Sequence, residues 1–194
     1  MKSLLLVSVL VLGMAFQSCN TRKVERIGTE ETIDLSGRWN DSDSRMTAEA
    51  MVDQILGGAW LDNHVRATGE RPVVIVGLVY NKSHEHINAE TFIKDVERAF
   101  INSGRVRLVQ AGDKREELRR ERASQQDFAS VETAKQWGLE LGADYMLNGD
   151  INSIVDTYQR EKVTYYQVNL ELTDVQSSEV LWIGDKRIRK YIRN

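Results

Sequence analysis

The chain has 194 residues, of which 41% are apolar and 28% charged, and its formal net charge is −3. This suffices for one domain of ordinary size with appendages, is too short for two full domains, and is too apolar for a disordered chain. The acidic balance excludes wholesale nucleic-acid binding, which needs a basic surface to neutralise phosphates.

The N-terminus departs from the rest. Lys2 precedes the apolar run Leu4 to Leu12, and Gly13-Met14-Ala15-Phe16-Gln17-Ser18 follows, the order of a secretory signal. As a helix, Leu4 to Phe16 would cover only ~20 Å against a hydrocarbon core of ~30 Å, too little for a permanent span. Cys19, the single cysteine, comes directly after it and can neither pair in a disulfide nor build a cysteine zinc site. It reads either as the lipidated first residue of the mature protein or as an incidental thiol behind a cleaved leader. Phe16-Gln17-Ser18-Cys19 resembles a lipobox, Ser18 being suitably small, and this favours lipidation at Cys19. Asn20 rather than Asp then favours the outer membrane, by resemblance to the sorting rule of enteric bacteria. Residues 1–18 are thus expected to be a lipoprotein signal peptide, 19–43 a lipidated N-terminus and flexible tether, and 44–194 the domain. A stretched tether of about 20 residues reaches at most ~70 Å, a relaxed coil ~25 Å.

From Ser44 to His64, Met46, Ala50, Met51, Ile55 and Trp60 or Leu61 recur near helical spacing and predict one helix. Val73 to Tyr80, introduced by Pro72, is a β-branched run suited to a strand buried on both faces. Asn88 is placed to cap a helix with Phe92, Ile93, Val96, Ala99 and Phe100 inward, stopped at Ser103-Gly104. Val106 to Val109 predicts a short strand, Asp113 and Glu116 have capping-box spacing, and Ser130 to Leu141 predicts a further helix. Beyond Tyr145 the pattern turns to period two, with Val168, Leu170 and Leu172 inward and turns near 159–162 and 176–179. The fold class expected is α/β (α+β): a single domain with a mixed, mainly antiparallel sheet of about four to five strands, flanked by about four helices.

No catalytic constellation emerges, so the chain is not expected to be an enzyme. His84 and His86 lie in a polar loop without an obvious third ligand, and no metal or cofactor is expected. The strand ending Val76-Gly77-Leu78 lacks both the dinucleotide and the Walker pattern. Arg115, Arg119, Arg120 and Arg122 interleave with Glu116, Glu117 and Glu121, the mark of a solvated, salt-bridged helix. On the last strand, Arg187, Arg189, Tyr191 and Arg193 share one side at period two. They are read either as a partner-binding row or as charges that guard a terminal strand.

Several segments together resemble a known family. Val73-Val74-Ile75-Val76, Asn81-Lys82, Asn88-Ala89-Glu90, Ala99 to Gly104 and Val106 to Val109 are similar to the first half of the penicillin-binding protein activator LpoB family. Gly142 to Leu147, Val168 to Leu172 and Glu179 to Gly184 are similar to its second half. The resemblance implies an outer-membrane lipoprotein whose domain faces the periplasm. Such a protein activates a peptidoglycan synthase, a bifunctional penicillin-binding protein, by docking on a non-catalytic domain of it. Enteric members carry a long proline-rich linker, whereas the tether here has no proline. The alternative is an accessory lipoprotein of a secretion or assembly system related to CsgG or TolB-type modules; an enzyme acting on wall polymer is a third class.

Overall fold

A computed structural model describes residues 24–28, 31–128 and 141–193. The signal segment, Cys19 and nearly all of the helix expected over 130–141 lie outside the described residues. The chain divides into Met1–Thr32 and Ile33–Asn194, and the elements below all belong to the second unit.

In chain order these are α1 (Asp41–Leu56), α2 (Ala59–Thr68), β1 (Val73–Asn81), α3 (Ala89–Ser103), β2 (Arg107–Val109), α4 (Gly112–Phe128), β3 (Tyr145–Tyr158), β4 (Glu161–Asp174) and β5 (Val180–Arg193). The strands form one mixed sheet in the order β2-β1-β3-β4-β5. β1 is parallel to both β2 and β3, while β3, β4 and β5 form an antiparallel meander. The expected mixed α+β architecture is what the chain adopts.

Local chemistry accounts for most of the element ends. Asn88 caps α3 by accepting from the Thr91 backbone N–H, and Gly104 closes it in the left-handed region at φ 64°. The two-residue turn Gln159-Arg160 joins β3 to β4 with Gln159 at φ 50°. Burial in β4 alternates without a break from Thr164 to Leu172, as period-two patterning requires.

Three expectations change. The single helix predicted over 44–64 is two helices, because Gly57-Gly58 interrupts it: the Gly57 and Gly58 N–H groups turn back onto the Asp53 and Ile55 carbonyls. The first helix also starts earlier, at Asp41, where Asn40 and Asp43 form a capping box. Its buried stripe is consequently Ala48, Met51, Val52, Ile55 and Leu56, and Met46 is exposed. Residues 34–43, read from sequence as part of the tether, include this cap, the first turn of α1 and Trp39, whose ring meets Tyr166 edge-on at 5.6 Å. β1 is buried at four successive positions, Val73 to Val76, but Leu78 and Tyr80 beyond them are exposed, so two-sided burial holds for its first half only.

The core lies between the sheet and helices α1 to α3. Phe92, Val96 and Phe100 of α3 and Met51 and Ile55 of α1 meet Val74, Leu147, Ile151, Tyr166, Val168, Leu170 and Leu172. Burying each large side chain contributes about 1.5–3 kcal/mol. One face of the sheet is thereby committed to packing, which leaves the other for function.

Candidate functional site

The register of β3, β4 and β5 fixes which residues meet on the face turned away from α1 to α3. Cross-strand rows read Asn152, Gln167, Arg187; then Ile154, Tyr165, Arg189; then Asp156, Val163, Tyr191; then Tyr158, Glu161, Arg193. Arg187, Arg189, Tyr191 and Arg193 do share one side of β5, and all four are exposed. What the strand alone could not show is the company they keep. Ile154, Tyr158 and Tyr191 are 65%, 72% and 59% exposed, so large apolar and aromatic surface stands in solvent beside guanidinium groups. Arginine and tyrosine with an aliphatic neighbour are the residue types that anchor protein interfaces.

The arginines are not equivalent. Arg187 is held by Asp185 at 2.6 Å and Arg193 lies 3.7 Å from Glu161. Arg189 has no ion pair or hydrogen bond among the described residues, so its five donors remain available to an incoming acceptor. A shallow depression between Ile154, Tyr165, Gln167, Arg187 and Arg189 gives such a group a seat.

A chain of polar side chains leads into this patch. The Tyr165 hydroxyl donates to Gln167 Oε1 at 3.1 Å, Gln167 Nε2 to Asn169 Oδ1 at 2.8 Å, and Asn169 Nδ2 to Asp150 Oδ1 at 2.8 Å. Lys82 Nζ donates to the other Asp150 oxygen at 3.0 Å, and Asn152 donates to Asp150 as well. Partial burial pushes the Asp150 carboxyl up, but the donors Asn169, Lys82 and Asn152 together outweigh it and hold the group below its ordinary value. A carboxylate whose pKa is depressed on folding adds stability above its unfolded pKa, near 4, and that stability fades as pH falls through the folded value. Asp150→Asn is therefore expected to be less stable than the native chain at neutral pH and to lose less further stability below pH ~4, measured by denaturant midpoints across pH.

The other sequence-predicted features fall elsewhere. His84 binds Ser153 through Nδ1 at 3.1 Å, and among the described residues no cluster of three His, Cys, Asp or Glu side chains could hold a metal. Arg119 pairs with Glu116 on α4, as expected of a solvated helix. Among the described residues, the outer face of β3 to β5 presents planar cations, phenols and amides. No helix among the described residues is long and apolar enough to cross a membrane.

Ile154, Tyr158, Val163 and Tyr165 were missed from sequence because they lie on other strands. The signal that could have found them is the Gln159-Arg160 turn, which fixes the β3–β4 register once its two-residue length is recognised.

A family model described as "Peptidoglycan-synthase activator LpoB" matches residues 43–188. No sequence among the curated proteins matches significantly. Among solved structures, the chain is similar to the LpoB C-terminal domain from Escherichia coli, with 19% identity and TM-score 0.48 over 78% of this chain and 99% of that one. It is also similar to the LpoB C-terminal domain from Salmonella enterica, with 19% identity and TM-score 0.44 over 75% and 98%. A third is lipoprotein GNA1162 from Neisseria meningitidis, with 17% identity and TM-score 0.42 over 62% and 83%. The matched span covers α1 through most of β5, and on that span the chain belongs to the family of the peptidoglycan-synthase activator LpoB.

Proposed function

We propose that this protein is a lipid-anchored regulator, held at the periplasmic side of the outer membrane through Cys19, that binds a bifunctional penicillin-binding protein and activates its peptidoglycan synthesis. The observation that supports this reading best, beside family membership, is the row Ile154, Tyr165, Arg189 with Tyr191 beyond it: an exposed aromatic and aliphatic surface around an unpaired guanidinium. Arg187 and Arg193 flank it as paired cations.

Activation of this kind is a difference in binding. If the outer face binds the active form of the synthase more tightly than the resting form, saturating activator raises the active-to-resting ratio by the ratio of the two affinities. No chemistry by the activator is required. Geometry limits where this happens. Asp34 already contacts Lys190, so at most residues 20–33 separate Cys19 from this contact, a length of chain that reaches no further than about 50 Å.

The test is crosslinking and affinity recovery of the mature lipoprotein from envelope extracts, followed by glycan polymerisation with the purified synthase. Recovery of the synthase and a several-fold faster polymerisation are expected. Recovery of secretion components without any synthase would sink the reading, and turnover of wall polymer by the domain alone would replace it with an enzyme.

A further inference from the structure

The stretch Ile33–Asn40 forms neither helix nor strand, yet it is held by Lys190 and Ile192 on the inward side of β5, by Tyr166 of β4 and by Glu85. Lys190 is the centre. Its side chain is 8% exposed, and its ammonium meets Asp34 Oδ1 and Asp43 Oδ2 at 2.5 Å each and the Arg38 carbonyl at 3.0 Å. Three acceptors satisfy all three donors of an ammonium. Burial disfavours the charged amine, but the two carboxylates outweigh it and hold its pKa above the ordinary value. Asp34 also accepts from Asn40 Nδ2 at 2.6 Å, tying the stretch to the cap of α1. Gly37, at φ 64°, lies so close to Ile192 that any Cβ there would collide with it. The Trp39 backbone N–H donates to Glu85 Oε2 at 3.1 Å, and its ring packs edge-on against Tyr166.

Lys190 and Ile192 alternate along β5 with Arg189, Tyr191 and Arg193, which point the other way. β5 is an edge strand of the sheet, paired to β4 alone along its whole length. We infer that Ile33–Asn40 is a strap that positions the distal half of β5 from behind, and with it Arg189 and Tyr191 on the outer face. Lys190 and Asp34 are its positioning residues. Lifting the strap removes Asp34 and the Arg38 carbonyl from Lys190 and the Gly37 backbone from Ile192, so the distal strand loses its backing and loosens. The strap is also where the chain leaves toward its N-terminus. A pull from that side peels it from Ile33 inward, and the Asp34 contact breaks first. Strap docking and occupancy of the outer face favour the same strand conformation, so each strengthens the other.

The consequence for binding rests on the proposed docking reading, but the strap itself is testable without a partner. Hydrogen exchange is measured on the mature chain from residue 19 onward, in native form and as Asp34→Ala, Lys190→Met and Arg189→Ala. Asp34 is half exposed in its side chain, so its loss leaves the fold standing. Expected is at least about tenfold faster exchange at Ile188–Ile192 in Asp34→Ala and Lys190→Met, with Leu147 and Ile151 unchanged and Arg189→Ala like the native chain. Native exchange of β5 in both strap variants overturns the inference. So does equal acceleration throughout the sheet, which would make the contacts a source of general stability. Neither outcome depends on whether a synthase binds.

Discussion

Arg189→Glu combined with Tyr191→Ala is expected to lower affinity for the synthase by at least about 100-fold and to abolish stimulation of glycan polymerisation, with the thermal midpoint of the domain unchanged. A few central residues carry most of an interface's energy, and truncating one such anchor typically costs tenfold or more. Arg189 has no ion pair or hydrogen bond among the described residues, so reversing its charge both removes a donor set and opposes whatever acceptor it meets. Tyr191 adds a large phenol that is already in solvent. Arg193→Ala serves as the contrast: its side chain is 76% exposed and paired to Glu161, a rim arrangement whose loss should change affinity less than about threefold. Calorimetry or surface plasmon resonance reads the first effect, and a polymerisation assay the second. Native affinity in the double variant would move the docking surface away from β5.

The second large effect is expected at Cys19. Cys19→Ser should incorporate no labelled palmitate and should remove at least about nine-tenths of the protein from the outer-membrane fraction. The reason lies in the additivity of methylene burial, at about 0.8 kcal/mol each: one acyl chain binds a bilayer only marginally, whereas several anchor a protein stably. The substitution lies outside the folded unit that begins at Ile33, so the purified domain should melt as before. Retention of Cys19→Ser in the membrane fraction would reassign the thiol to an incidental role. Together the two variants separate where the protein is held from what it holds.

How much of this was legible in sequence varies with the range of the interaction responsible. Asn88, the Phe92, Val96 and Phe100 stripe and Gly104 are all local signals, and α3 follows them. The Gly57-Gly58 break was equally local and was overridden by apolar positions on either side of it, since Trp60 and Leu61 do return to the core. The Arg187, Arg189, Tyr191 row was legible because period two needs only one strand. Its aromatic and aliphatic neighbours come from β3 and β4 and need the register of two hairpins. The strap was illegible for a stronger reason. Asp34 and Lys190 are 156 residues apart, and the stretch holding Asp34 has no period to read, because it packs through single contacts that no repeating face supplies.

Sheet order has a last consequence, for timing. β1 lies between β2 and β3, and its longer pairing joins Val74 to Tyr145 in parallel. Contacts between residues so distant in sequence form slowly, because the loop must close before any pairing compensates. A chain threaded N-terminus first across the inner membrane would therefore present β1 long before Tyr145 emerges to complete it. In such a chain the centre of the sheet would stay open until the segment from Tyr145 onward had crossed, a state compatible with passage through a channel that admits only extended polypeptide.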